Sequence, residues 1–229
     1  MEIKFLIFDV DGVLIRSTEV GFDCMFETAK KLGLQMPNQD FLKKHWGKIL
    51  ETELFPACFE ELGWDTSIGI SLVIDTYLEI AAQKRYPPIA GLKESLKWLS
   101  DNYLLGIASN RDQRTMKIRL AEANIDEGLF SLRRRPEGLV YSKPDPRVFN
   151  CFWEQGCVPE NTLFVGDTID YDWMAVKNHQ PRFHFVGVTS ILHSRTDFIT
   201  AGVPESMVID SPAELPDLLK LLSSSSMSA

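Results

Sequence analysis

Long apolar runs are missing from this 229-residue chain. No stretch reaches the roughly 18 apolar residues of a membrane-spanning helix, so a membrane protein is not expected. Positive charge is in deficit, with 24 Lys plus Arg against 32 Asp plus Glu and a formal net charge of −8. Such a surface repels phosphate backbones and anionic lipid, which argues against nucleic acid and membrane partners. The one basic run, Arg133-Arg134-Arg135, reads as a solvated loop. Cysteine is scarce, and Cys24, Cys58, Cys151 and Cys157 show neither CxxC pairing nor zinc-finger spacing. They read as reduced packing residues of a cytoplasmic protein. No signal peptide is expected either, because the first apolar run contains Lys4 and ends in Asp9 and Asp11 rather than in small neutral residues. His179, His184 and His193 lack a spacing that suggests a metal or a triad and read as structural. Internal repeats are absent.

What is present is a hydrophobic fraction of 45%, enough for one large domain or two smaller ones. Ile3 to Phe8, Tyr103 to Ala108, Thr162 to Val165, Phe183 to Val188 and, more weakly, Met207 to Ile209 are short apolar runs that read as buried strands. Helical patterns separate them at Gly91 to Leu99, Arg114 to Asn124 and Pro146 to Gln155. Strands alternating with helices predict a parallel α/β sheet joined by right-handed crossovers. The segment 17–86 breaks the alternation. It holds helical patterns from Phe22 to about Gly33, from Phe41 to Leu54 and from Ile68 to Ala82, and no convincing strand. A small helical domain inserted after the first strand is therefore expected, with the main domain formed by 1–16 and 87–222. Pro87-Pro88 and Gly91 mark the return. The serine-rich tail 223–229 has nothing to bury and is expected to be disordered.

In open parallel sheets, ligands bind beyond the carboxyl ends of the strands. Asp9 and Asp11 follow the first run, Ser109 and Asn110 the second, and Gly166, Asp167, Thr168, Asp170 and Asp172 the third. Lys143 stands shortly before the Pro146 helix. Each alone suits a turn or a helix cap. Together, converging carboxylates at Asp9, Asp11, Asp167 and Asp172 would repel one another unless a cation sat among them. Oxygen ligands suit Mg²⁺, which takes further oxygens from phosphate. Ser109, the backbone amide of Asn110 and Lys143 then offer donors to a phosphoryl group.

Asp9-Val10-Asp11-Gly12-Val13-Leu14, Ser109-Asn110, Lys143-Pro144-Asp145-Pro146 and Gly166-Asp167-Thr168-Ile169-Asp170-Tyr171-Asp172 resemble, in order and spacing, the four motifs of the haloacid dehalogenase-like hydrolase superfamily. The likeness is to its phosphatase branch with a helical cap, the phosphoglycolate phosphatase and β-phosphoglucomutase-like group. It implies a Rossmann-like, doubly wound parallel core closed over by the helical insert. It also implies a cytoplasmic, Mg²⁺-dependent phosphatase of a small phosphorylated metabolite. Asp9 would be the nucleophile that forms an aspartyl-phosphate, and Asp11 the acid that protonates the leaving oxygen and later activates water. Asp9, the Asp11 backbone carbonyl and Asp167 would hold the ion, with Asp172, and less strongly Asp170, as an outer or alternate ligand. Ser109 would hold a phosphoryl oxygen, Lys143 would neutralise charge, and Gly12 would permit the turn out of the strand. Asp11 favours phosphate esters over carbon–halogen bonds, because a departing alkoxide needs a proton. Many relatives carry Asp where this chain has Arg16, so Arg16 is either a substrate contact or a hinge arginine in water, and Arg111 poses the same choice. The segment His45-Trp46-Gly47-Lys48 falls where family caps place a specificity loop, although Trp46 also suits the cap core. The resemblance leaves two other functions open: a phosphomutase similar to β-phosphoglucomutase, and a catalytically silent binding protein.

Overall fold

The computed structural model describes residues 2–48, 50–132 and 141–225. The run Arg133-Arg134-Arg135 lies outside them. Five short strands form one wholly parallel sheet in the order β2-β1-β3-β4-β5. They are β1 (Phe5–Phe8), β2 (Leu104–Ile107), β3 (Thr162–Gly166), β4 (His184–Val188) and β5 (Val208–Ile209). β1 is central, with Phe8 in register with Ile107 on one side and with Val165 on the other. The chain therefore reverses its direction of winding at β1, and the crevice beyond Phe8 is the topological switch point. Every residue of β3 is buried, as is expected of a strand covered on both faces.

Clustering of the chain gives two compact units, Met1–Arg16 with Tyr86–Ala229, and Ser17–Arg85. The smaller unit is built from α1 (Ser17–Leu32), α2 (Gln39–His45), α3 (Phe55–Glu61) and α4 (Ile70–Gln83). Here the expected helix from Phe41 to Leu54 does not form as one piece. Asn38 caps α2 by accepting from Phe41 N–H, and the chain then turns at Trp46 and Gly47, whose φ is +82°. It resumes as a π-helical turn at Leu50–Leu54 that leads into α3. Glycine supplies the left-handed backbone that the turn requires. Trp46 packs on α1, where a Cβ at Gly21 would lie 2.3 Å from its ring, and it meets Phe22 edge-on at 4.8 Å. Phe55 stacks edge-on with Tyr77 of α4 at 5.7 Å. Trp46 is thus part of the packing of this unit.

The larger unit carries α5 (Leu92–Asn102), α6 (Gln113–Glu122), α7 (Asn150–Trp153), α8 (Met174–Lys177), α9 (Arg195–Ala201) and α10 (Leu215–Ser225). The expected helix from Pro146 to Gln155 is split into a 3₁₀ turn, Pro146–Phe149, and the short α7. Asp145 caps that turn by accepting from Arg147 N–H. Phe149 and Phe152 are fully buried, Phe149 edge-on to Phe164 at 5.0 Å, each contributing about 1.5–3 kcal/mol through burial. His179 is structural: its Nε2 accepts from Trp153 Nε1–H at 2.9 Å, and its Nδ1 lies 2.6 Å from the Pro181 carbonyl, which places the proton on Nδ1. The four cysteines are buried and form no disulfide. Burial pushes the thiols of Cys58 and Cys157 up to about 12 and about 11, so both stay protonated and inert at neutral pH. The expectation of a disordered tail from 223 fails for its first residues. α10 runs to Ser225, with Ser223 and Ser224 donating back to the carbonyls of Leu219 and Leu221. Among the described residues, no helix is long and apolar enough to cross a membrane.

Candidate active site

β1 ends at Phe8, and Asp9 follows it with its backbone N–H bonded to the Val165 carbonyl at 2.9 Å. That bond carries the sheet one residue further and seats Asp9 between β1 and β3. Asp167 is the first residue after β3, and Asp172 lies in the turn Ile169–Trp173 that follows. Single carboxylate oxygens of Asp9, Asp167 and Asp172 lie within 4.8 Å of one another, and all three residues are buried. Asp170, the weaker candidate in the same turn, is exposed and outside this group, so it is not brought to the cluster.

Lys143 enters the cluster from the opposite loop with 3% exposure. Its Nζ lies 2.8 Å from Asp9 Oδ1 and 2.5 Å from Asp172 Oδ1. The other oxygen of Asp172 accepts from the backbone N–H and the hydroxyl of Thr168, at 2.9 and 2.6 Å. Asp172 therefore has both oxygens occupied and orients Lys143. Asp167 is the contrast, because both of its carboxylate oxygens are buried without a hydrogen-bond partner. Burying an acceptor unpaired is costly, and a space reserved for a cation is a physical reason to tolerate it. Gly12 keeps that space clear. Its φ is +78°, and a Cβ there would sit 2.1 Å from Asp167 Oδ2. Gly166 does the same beside Asp172, where a Cβ would lie 2.4 Å from the Asp172 Cβ.

The charges report the same strain. Burial, with Asp172 and Asp11 adding to it, pushes the Asp9 carboxyl up to about 7 against the pull of Lys143. Burial and the charges of Asp172 and Asp9 hold Asp167 well above the usual carboxylate range. Burial works against the charge of Lys143, yet Asp172 and Asp9 outweigh it and raise its pKa. Three buried carboxylates facing one ammonium leave two negative charges, which suits a divalent cation. The residues present thus fit such an ion.

The loop after β2 places three consecutive residues. Ser109 is 4% exposed, and its Oγ accepts from Arg111 N–H at 3.1 Å. Asn110, expected to offer its backbone amide, also uses its side chain: Oδ1 accepts from Lys143 N–H at 2.7 Å and Nδ2 donates to the Lys143 carbonyl at 2.9 Å. This clamp on the lysine backbone had no sequence signal, because Asn110 and Lys143 are 33 positions apart. Arg111 makes a side-on pair with Asp11, its Nε 3.0 Å from Oδ2 and its Nη2 2.7 Å from Oδ1. Arg16 is exposed, and its backbone N–H bonds to the Pro87 carbonyl at 2.9 Å. Gly47 belongs to the smaller unit, at the turn that ends α2.

The haloacid dehalogenase-like hydrolase family matches residues 6–186, and the chain belongs to it. It is a phosphatase enzyme within that family. A phosphoglycolate phosphatase of Aquifex aeolicus (strain VF5) is 30% identical over 172 residues, which span 72% of this chain and 76% of that protein. Pyrophosphatase PpaX of Oceanobacillus iheyensis is 26% identical over 175 residues, 73% of this chain and 76% of its own. The fold is shared with a solved haloacid dehalogenase-like family hydrolase from Streptococcus pneumoniae. Its TM-score is 0.70 at 20% identity, covering 95% of this chain and 98% of that one.

Proposed function

We propose that this chain is a cytoplasmic, Mg²⁺-dependent phosphatase that hydrolyses a small phosphorylated metabolite through an aspartyl-phosphate on Asp9. The observation that carries the reading is the buried trio Asp9, Asp167 and Asp172, with Asp167 unpartnered and Lys143 between the other two. An all-oxygen set of carboxylates suits Mg²⁺ among divalent ions. Asp9, Asp167 and the Asp11 backbone carbonyl would hold it, and when bound it draws charge from the phosphoryl oxygens and offsets the repulsion that raises Asp9 and Asp167.

The side chains then divide the work. Asp9 attacks phosphorus as the P–O bond to the leaving group breaks. Asp11 hands a proton to the departing oxygen and then takes one from the water that cleaves the aspartyl-phosphate. Ser109 and the Asn110 amide hold the phosphoryl oxygens, and Lys143 keeps Asp9 oriented and its charge balanced. Asp172 holds Lys143. The two curated relatives are named for phosphoglycolate and for pyrophosphate. Both compounds are small and pair a phosphoryl group with a second anionic group, which makes that class the first to test.

A phosphate-release screen over many metabolites, with and without chelator, tests the reading. Release that needs Mg²⁺ and vanishes in Asp9→Asn supports it. Release by Asp9→Asn at the wild-type rate, or an isomerised sugar phosphate in place of free phosphate, would replace it, the latter with a mutase.

A further inference from the structure

Three adjacent residues after β2 hold three different parts of the site. Ser109 is the residue proposed to hold a phosphoryl oxygen, Asn110 clamps Lys143, and Arg111 grips Asp11. The third grip has no role in the reading above. Asp11 lies past the end of β1, on the turn toward Gly12, and its side chain is 31% exposed. Arg111 is the one side chain among the described residues that hydrogen-bonds to it. The fork is side-on and bidentate, so it fixes the tilt as well as the position of the carboxylate. Arg111 is tethered in turn by its backbone N–H to Ser109 Oγ. Because Phe8 and Ile107 are in register on neighbouring strands, the pair spans two adjacent strand ends.

We propose that Arg111 is the positioning residue of Asp11, setting the direction of the carboxylate that exchanges the proton, and acts through Asp11 rather than on the substrate. The proposal rests on the phosphatase reading. Proton transfer needs heavy atoms within about 2.6–3.2 Å of each other, and a displacement of about 1 Å at a reacting group costs about a hundredfold. An aspartate on a turn, with two free torsions, does not hold that tolerance unaided. The Arg111 edge that matches a phosphate or carboxylate side-on is already occupied by Asp11, which argues against direct capture of the substrate. In the step concerned, Asp9 forms its bond to phosphorus, the electron pair of the breaking P–O bond goes to the alkoxide oxygen, and that oxygen takes the proton from Asp11. Water then attacks the phosphorus, the P–O bond to Asp9 breaks with its electron pair returning to the Asp9 carboxylate, and the water gives up a proton to Asp11. The sum is ester plus water giving alcohol plus phosphate.

The test compares esters that differ in their need for that proton. Phosphoglycolate and glycerol 3-phosphate release alkoxides, which need it, whereas p-nitrophenyl phosphate releases a phenolate, which does not. The expected result is that Arg111→Gln lowers kcat/KM for the alkyl esters by about 10–100-fold, and about tenfold more than for the aryl ester. Asp11→Asn should show the same discrimination. The double variant should be no worse than Asp11→Asn alone, because the two residues act as a unit. Arg111→Lys, which keeps the charge without the fork, should recover part of the loss. Equal losses on both ester types would overturn the proposal. So would additive losses in the double variant with a raised KM, since Arg111 would then bind the phosphoryl group itself. Failure of the phosphatase reading is visible separately, as wild-type phosphate release by Asp9→Asn or the absence of ester discrimination in Asp11→Asn.

Discussion

Asp9 and Asp167 illustrate how burial and function oppose each other at single residues. Asp9 is pushed up to about 7, chiefly by burial, whereas an unfolded aspartate titrates near 3.9. Between about pH 4 and about pH 7 Asp9 is therefore more protonated in the folded, ion-free protein than in the unfolded chain. The contribution of this residue to stability falls as pH rises through that window and levels off above it. In chelator, the melting-temperature gain of Asp9→Asn over wild type should be small near pH 4.5 and largest above pH 7; a gain independent of pH would refute this. Asp167→Asn makes a sharper pair of predictions, because the residue carries a repelled, unpartnered carboxylate. Without metal the variant should melt at or above the wild-type temperature. Its phosphatase activity should fall by about a hundredfold or more, several kcal/mol of transition-state charge stabilisation being lost with the ion. Calorimetry and phosphate release read the two effects on one preparation.

Short elements and their connecting turns, rather than the helices, build the site. β1 has four residues and β2 four, and Asp9, Asp11, Ser109 and Asp167 stand just past their ends or that of β3, while Lys143 comes from the loop before the Pro146–Phe149 turn. The turns must then be held to each other. The two hydrogen bonds between Asn110 and the Lys143 backbone do this across loops that share no local sequence. Removing the Asn110 side chain leaves the backbone N–H and C=O of the buried Lys143 without these two partners. Asn110→Ala should cost about 1–3 kcal/mol of stability and lower kcat more than it raises KM, since Lys143 would lose its direction toward Asp9. Denaturant titration and steady-state kinetics check both. Of these elements, Asp9, Asp11, Lys143 and Asp167 were readable in the sequence because their spacing repeats a family pattern. The Asn110 clamp and the Arg111–Asp11 fork were not, because each joins residues far apart in the chain by side chains whose direction the sequence does not encode. The split of the expected helix at Trp46-Gly47 was missed for a related reason: apolar periodicity continues across the turn, and only the ring of Trp46 lying on Gly21 shows why the chain breaks there.

At the scale of the whole molecule, one ion site is expected to govern stability. A ligand that binds only the folded state at about 100 times its Kd adds about 2.7 kcal/mol, or about 5–10 °C for a chain of this size. Mg²⁺ at such a level should raise the wild-type melting temperature by that amount and leave Asp167→Asn unmoved. An equal shift in both would place the binding elsewhere. The division into Met1–Arg16 with Tyr86–Ala229 and Ser17–Arg85 bears on how such a melt is read. Two units can unfold separately, so the shift belongs to the transition of the larger one.

The sequence by itself determined the parallel α/β core and the family, because apolar periodicity, punctuation and motif order are local properties of the chain. It also determined which acids stand at strand ends. Only the tertiary structure decided that Asp172 serves Lys143 while Asp167 stays unpartnered, that Asp170 faces solvent, and that Arg111 holds Asp11. Those outcomes depend on which oxygen meets which donor in a buried space, where an error of one ångström makes or breaks a hydrogen bond.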